Sequence, residues 1–347
     1  MKKVIVTGGY GFIGSNLIAS LIKKKYFVIN IDKLSYSSNK YNLKNLNLKN
    51  YIFYKIDLNE KNKIIKLLKK YKPSAIFNLA AETHVDRSID SPKPFIRSNI
   101  NGVYNLLEAV RNYLKTKNKI KLIHVSTDEV YGDLGFTKKR ANEDFAYKPS
   151  SPYAASKASA DHLIKSYIRT YNFPAVISNC SNNYGPRQFP EKLIPKIIFN
   201  ILNKKPIPIY ANGINSREWI FVDDHCEALE IIYRRGKIGE NYNIGSGINM
   251  TNLKLTKLIL QLIKKKFPKI IIKSKITYVK DRPGHDIRYA INSNKIRRKF
   301  KWKPKTGITA GLKKTINWYL ENPNYYKNIK KKDFVNRIGI KKWLKKA

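Results

Sequence analysis

Lys3-Val4-Ile5-Val6-Thr7-Gly8-Gly9-Tyr10-Gly11-Phe12-Ile13-Gly14 sets a short apolar run directly before glycines at positions 8, 11 and 14. The run reads as a buried strand, the glycines as a tight turn, and the stretch from Phe12 to Lys24 as a helix with Leu17, Ile18, Leu21 and Ile22 along one side. In this pattern Gly8 lets the chain turn sharply and Gly11 lets backbone N–H groups approach a pyrophosphate at the positive helix end. Gly14 lets the helix lie close to the strand. The spacing Gly-x-x-Gly-x-x-Gly is weak evidence alone. Asp32, closing the next apolar run Phe27–Asp32, strengthens it, because an acidic side chain there accepts hydrogen bonds from an adenosine ribose and repels a 2′-phosphate. The spacing therefore predicts NAD rather than NADP.

Outward from this turn the chain alternates strands and helices. Strands are expected at Tyr51–Ile56, Ser74–Leu79, Lys121–Ser126 and Ala175–Ser178, and helices at Lys61–Lys70, Ile100–Leu114 and Tyr153–Thr170. Such alternation implies crossover units and a parallel sheet covered on both faces, an α/β, Rossmann-type doubly wound architecture. After about Asn182 the rhythm becomes irregular and proline-rich. We expect residues 1–181 to form an NAD-binding Rossmann domain to which some later segments return. Residues 182–325 should form mainly a smaller, mixed C-terminal substrate-binding region, and residues 326–347 a basic tail.

Lys and Arg number 69 against 24 Asp and Glu, a formal net charge of +45. That excess invites a nucleic-acid reading. The lysines, however, run along the whole chain instead of gathering in one stripe, as a general compositional bias would place them. Neither a nucleic-acid nor a membrane partner is expected. Val4 to Ile22 is uncharged and flanked by lysines, as in a signal peptide or short membrane span. Glycines 8, 9, 11 and 14 would weaken such a helix at its centre, whereas strand, turn and helix account for each of them. Two cysteines, Cys180 and Cys226, make no disulfide framework, and no Cys/His spacing suits a metal, so a cytoplasmic setting is expected.

Tyr153 and Lys157 stand four apart on a predicted helix and so share a face. A phenol with a pKa near ~10 is a poor base at neutral pH. An ammonium one turn along stabilises its phenolate, so the pair can strip a proton from a substrate hydroxyl as hydride leaves carbon. Upstream, Thr127-Asp128-Glu129 follows the apolar strand, at the carboxyl end where doubly wound sheets hold their ligands.

Together these segments resemble the extended short-chain dehydrogenase/reductase family. Five further stretches narrow the resemblance to its dTDP-glucose 4,6-dehydratases: Leu79–Ser88, Asn179–Pro186, Phe189–Pro195, Arg217–His225 and Asp281–Tyr289. The resemblance implies a hydro-lyase that makes a 4-keto-6-deoxy sugar nucleotide for deoxysugar and cell-surface polysaccharide biosynthesis. It implies Tyr153, Lys157, Thr127, Asp128 and Glu129 as catalytic residues. The implied NAD shell is Gly8, Gly11, Phe12, Ile13, Gly14, Asp32, Lys33, Leu34, Ser35, Asp57, Leu58, Leu79, Ala80, Ala81, Glu82, Thr83, Ser98, Tyr153, Lys157 and Asn183. For dTDP-glucose it implies Thr83, Thr127, Asn182, Lys192, Leu193, Pro208, Ile209, Tyr210, Arg217, Asn252, Asp281, Arg282, Pro283, Gly284 and His285. A homodimer built on the helices Ile100–Leu114 and Tyr153–Thr170 is also implied. The competing readings are a sugar-nucleotide 4-epimerase, a UDP-glucuronate decarboxylase and a catalytically silent nucleic-acid-binding relative.

Overall fold

The computed structural model describes residues 1–330 and Asp333, apart from residues 45, 117, 267 and 271. The basic segment 334–347, and with it most of the tail expected at 326–347, lies outside the described residues. The chain runs β1 (Lys3–Thr7), α1 (Phe12–Lys23), β2 (Phe27–Asp32), β3 (Tyr51–Lys55), α2 (Lys61–Tyr71), β4 (Ala75–Asn78), α3 (Val85–Asp90), α4 (Lys93–Phe95), α5 (Gly102–Leu114), β5 (Lys121–Thr127), α6 (Pro152–Tyr171) and β6 (Ala175–Cys180). It continues with β7 (Asn182–Tyr184), α7 (Leu193–Leu202), β8 (Ile207–Tyr210), β9 (Ser216–Phe221), α8 (Val222–Arg235), β10 (Asn241–Ile244), β11 (Asn249–Thr251), α9 (Asn252–Lys266), β12 (Ile276–Val279), α10 (Asn294–Phe300) and α11 (Ile308–Glu321).

Among the described residues one sheet has seven strands in the order β10-β6-β5-β4-β1-β2-β3. Every pairing in it is parallel. The strand order reverses between β1 and β4, and that crevice is where such sheets take their ligands. Side chains alternate between the faces as the strand period of two requires. Val4, Val6 and Val28 pack under α1 and α8, while Ile5, Ile29 and Ile31 pack under α2, α5 and α6. Burial on both faces explains why these strands read as unbroken apolar runs.

The C-terminal region builds two small sheets, β11-β9-β7 and β12-β8, over a third core from α7, α9 and α11. Strand β9 couples the parts: Trp219 and Phe221 enter this third core, and Ile220 enters the first. One expectation shifts. The helix expected from Ile100 begins at Gly102, behind a π-helical stretch, Ile96–Asn101. Strand β10, from beyond residue 240, joins the large sheet beside β6, with Tyr242 and Ile244 adding to its core. The N-terminal uncharged stretch is strand, turn and helix. Among the described residues no helix is long and apolar enough to cross a membrane.

Candidate active site

The glycine turn makes a narrow cradle. Gly8 sits at φ +69°, and a Cβ there would stand 2.9 Å from the Ala80 Cα. A Cβ on Gly14 would lie 2.3 Å from the Gly8 carbonyl oxygen. Both positions therefore exclude side chains. Helix α1 starts without a capping side chain or an acidic residue in its first turn, so its N–H groups and dipole are open to an anion. The Asp32 carboxylate, buried at the end of β2, accepts from the backbone N–H of Tyr10 (3.0 Å) and of Leu34 (2.7 Å) and from the Ser38 hydroxyl (2.8 Å). These bonds hold it at the cavity edge.

One cavity runs from this turn along the carboxyl ends of the strands. It is lined by Gly8, Gly11, Phe12, Ile13, Gly14, Asp32, Lys33, Ser35, Asp57, Leu58, Leu79, Ala80, Ala81, Thr83, Ser98 and Asn183 of the expected cofactor shell. Leu34 and Glu82 do not line it. Leu34 turns at φ +60° to pack on the first core, and Glu82 pairs with Lys33 at 3.0 Å. Cys180 and Phe189 line it as well, and so do Ser37, Ser38, Ser181, Gln188 and Glu191, to which the sequence assigns no role. Glu191 precedes Lys192 within the stretch Phe189–Pro195.

At the inner end of the same cavity stand Thr127, Asp128, Glu129, Tyr153 and Lys157. Ser151 caps α6, its hydroxyl accepting from the Ala154 N–H at 3.1 Å, and Pro152 fixes the first helical residue. This start places Tyr153 and Lys157 one turn apart. Tyr153 rests edge-on against Phe95, and Lys157 donates to the Val125 carbonyl at 2.8 Å. Burial pushes the Tyr153 phenol well above its ordinary value, aided by the nearby Glu129 charge, and a hydrogen bond with Thr127 opposes the rise.

Asp128 and Glu129 open a 3₁₀ turn, Asp128–Tyr131, directly after β5. Burial drives the Asp128 carboxyl well above its ordinary range, and the charges of Glu129 and Glu218 drive it further. Burial also raises Glu129, but Arg282, Arg217 and Lys192 pull it back. Both carboxyls are thus raised, Asp128 the more strongly, because its neighbouring charges add to the burial whereas three cations oppose it at Glu129. Asp128 Oδ2 and Glu129 Oε2 are buried and have no hydrogen-bond partner among the described residues.

Of the expected substrate shell, Thr83, Thr127, Asn182 and Lys192 line the cavity. The others lie in the C-terminal region. There Asp86 of α3 accepts from Tyr210 at 2.6 Å and from Arg282 at 3.0 Å. Burial alone would raise Asp86, yet His84 and Arg282 hold it down at about 2. Tyr210 also meets the His285 ring, and His285 pairs with Asp281 at 2.6 Å. Arg217 stacks on Tyr289. Gly284 turns at φ +61°, after Pro283 and against the Ser150 carbonyl. Asn252 starts α9, and Leu193 starts α7 and packs on the third core. The strand period puts Pro208 and Tyr210 on the open face of β8 and turns Ile209 into the third core.

The family model described as GDP-mannose 4,6 dehydratase matches residues 5–315. The chain is 46% identical to a dTDP-glucose 4,6-dehydratase of Salmonella typhimurium over 344 residues, covering 94% of this chain and 95% of that one. A crystal structure of a dTDP-glucose 4,6-dehydratase from Bacillus anthracis in complex with NAD superimposes with a TM-score of 0.85 at 41% identity, covering 95% of this chain and all of that one. DesIV, a dTDP-glucose 4,6-dehydratase from Streptomyces venezuelae solved with NAD and dTDP bound, matches at 36% identity with a TM-score of 0.87, covering 94% and 100%.

Proposed function

Because this chain belongs to the dTDP-glucose 4,6-dehydratases of the extended short-chain dehydrogenase/reductase family, we propose that Tyr153, Lys157, Thr127, Asp128 and Glu129 perform that chemistry on one hexose. The chain is an NAD-dependent hydro-lyase that converts dTDP-glucose to dTDP-4-keto-6-deoxyglucose. The glycine cradle, the uncapped start of α1 and the Asp32 carboxylate fit a dinucleotide. NAD held there would supply the acceptor for the hydride leaving sugar C4 and the donor of the hydride that C6 gains. Tyr153 takes the C4 hydroxyl proton, Lys157 stabilises the phenolate, and Thr127 holds O4. A ketone at C4 makes the C5 proton acidic, so Glu129 can remove it while Asp128 protonates the departing C6 hydroxyl. C5 is then reprotonated.

The observation that carries this reading is the pair of buried carboxyl oxygens of Asp128 and Glu129, without a hydrogen-bond partner among the described residues, in the cavity that holds Tyr153. A 4-epimerase has no use for such a pair, since it breaks no bond beyond C4. Incubation of the purified protein with dTDP-glucose is the test. The alkali-sensitive absorbance of a 4-keto product supports the reading, and an epimerised 4-hydroxy sugar contradicts it.

Arg217 and Arg282 suit the diphosphate, which favours forked cationic donors, and the open face of Pro208 and Tyr210 suits a pyrimidine. The division at residue 181 follows the same logic: the large sheet, with β10 returning to it, holds NAD, and the smaller region holds the sugar nucleotide. A cytoplasmic homodimer is part of the proposal. Tyr104 on α5 and Tyr171 at the end of α6 are exposed, and Arg111 lies over Tyr171 at 4.7 Å, a surface suited to pairing α5 and α6 with their copies. Sedimentation velocity should give twice the chain mass, and a monomer at micromolar concentration would refute the dimer.

The Asp128 bias has a consequence for stability. A carboxyl whose folded pKa is raised binds more protons folded than unfolded, so stability falls as pH rises above its ordinary value of 3.8. Asp128→Asn removes that cost at neutral pH. The variant should therefore melt higher than wild type at pH 7, by roughly 2–4 °C for each kcal/mol regained, while dehydration is impaired. The gain should vanish below the ordinary Asp range. Differential scanning calorimetry across pH checks both statements.

A further inference from the structure

Tyr153, Lys157 and Asp161 follow one another at four-residue steps along a single face of α6. Asp161 is fully buried and has no place in the chemistry above. Its Oδ2 accepts from Ser126 Oγ (2.6 Å), Tyr147 Oη (3.1 Å) and Asn179 Nδ2 (3.4 Å). Its Oδ1 has no hydrogen-bond partner among the described residues and lies 3.5 Å from His124 Nε2. His124 Nε2 is in turn 3.3 Å from the Lys157 ammonium.

The proton on His124 can be assigned by following the bonds back to the glycine turn. The N–H groups of Leu79 and Ala80 both donate to Thr7 Oγ1 at 3.1 Å. Thr7 spends its own proton on Asn78 Oδ1 at 2.7 Å. With its oxygen so engaged, Asn78 donates through Nδ2 to His124 Nδ1 at 2.9 Å. Nδ1 is therefore the acceptor, and a neutral imidazole must carry its proton on Nε2. Burial, with Lys157 adding to it, keeps His124 well below its ordinary value, in agreement with a neutral ring. His124 Nε2–H and the Lys157 ammonium are then two donors side by side, and the imidazole cannot serve as an acceptor for Lys157. The Val125 carbonyl meets one ammonium hydrogen and carries no full charge. The remaining anionic partner in this buried cluster is Asp161.

We propose that Asp161 is a positioning residue for the reaction: its buried carboxylate, steadied by Ser126, Tyr147 and Asn179 and faced by His124 Nε2–H, keeps Lys157 an ammonium in place beside Tyr153. The inference rests on the role of Lys157 in the preceding reading. The groups facing the Lys157–Asp161 pair are Lys165 on α6, His124 on β5, Cys180 on β6, Tyr131 in the 3₁₀ turn and Tyr147 in the loop before α6, with Tyr153 one helical turn before Lys157. Burial presses the Lys157 ammonium down, and Asp161 is the leading charge that opposes it.

The test compares the pH profile of turnover in wild type, Asp161→Asn, Asp161→Glu and Lys157→Met. Asp161→Asn should keep its NAD and a KM for dTDP-glucose within about twofold. Its kcat at neutral pH should fall about tenfold or more, and the alkaline limb should move at least a full unit toward acid, the size an opposite charge at this range exerts. Asp161→Glu should restore part of the limb. An Asp161→Asn limb at the wild-type position, with Lys157→Met inactive, overturns the inference and leaves the role of Lys157 standing. Wild-type turnover in Lys157→Met overturns both. If Asp161→Asn does not fold, Ser126→Ala reads the same limb by removing one donor to the carboxylate. A smaller shift in the same direction supports the proposal, and no shift overturns it.

Discussion

Tyr153→Phe should lose roughly 10²–10⁴-fold in turnover of dTDP-glucose, the range that a positioned acid–base group contributes, while retaining its NAD. The phenylalanine keeps the edge-on contact with Phe95, so the ring packing survives. What disappears is the phenolic oxygen assigned here to accept the C4 hydroxyl proton. The Lys157 ammonium then has no phenolate to stabilise, and hydride removal from C4 stops because the alkoxide character it requires cannot develop. Nucleotide content after purification measures retention, and the rate of cofactor reduction on mixing with substrate measures the step. Near-wild-type turnover in this variant would remove Tyr153 from the chemistry.

Glu129→Gln separates the two halves of the reaction. Oxidation at C4 depends on Tyr153 and Lys157, which the substitution leaves untouched. Removal of the C5 proton depends on the Glu129 carboxylate, which Gln replaces with an amide that cannot accept it. Reduced nicotinamide should therefore build up on the enzyme after mixing with substrate, and exchange of the C5 hydrogen with solvent should fall by a factor of a hundred or more. Gln is neutral and similar in shape. It also relieves the burial that raises the Glu129 carboxyl, so the variant should fold. Rapid exchange at C5 would assign the base to another group.

Much of this site was legible because its residues cluster in sequence. The strand Phe27–Asp32 has the expected bounds, since Lys25 and Lys33 flank an apolar run. The glycine turn gains its meaning from Asp32 at the end of the next strand, and Tyr153 with Lys157 from the Thr127-Asp128-Glu129 segment upstream. Other features depend on pairings that no local pattern encodes. Asp86 meets Arg282 from 196 positions away. Strand β10 adds to the large sheet only because Tyr242 and Ile244 find room beside β6. Asp161 looks like an ordinary polar residue on a helix. It becomes notable only when α6 is laid over β5 and the residue is enclosed with His124 and Lys157. The π-helical stretch before α5 likewise has no periodic signature, and it set the start of that helix two residues late.

The whole account requires one hydride to travel within one sugar, from C4 to C6, while Asp128 and Glu129 remove water between them. Turnover of dTDP-glucose carrying deuterium at C4, followed by mass spectrometry of the product, measures this directly. The account predicts a 4-keto-6-deoxy product with the deuterium in its methyl group. A product that keeps deuterium at C4, or whose C6 carries none, would contradict it.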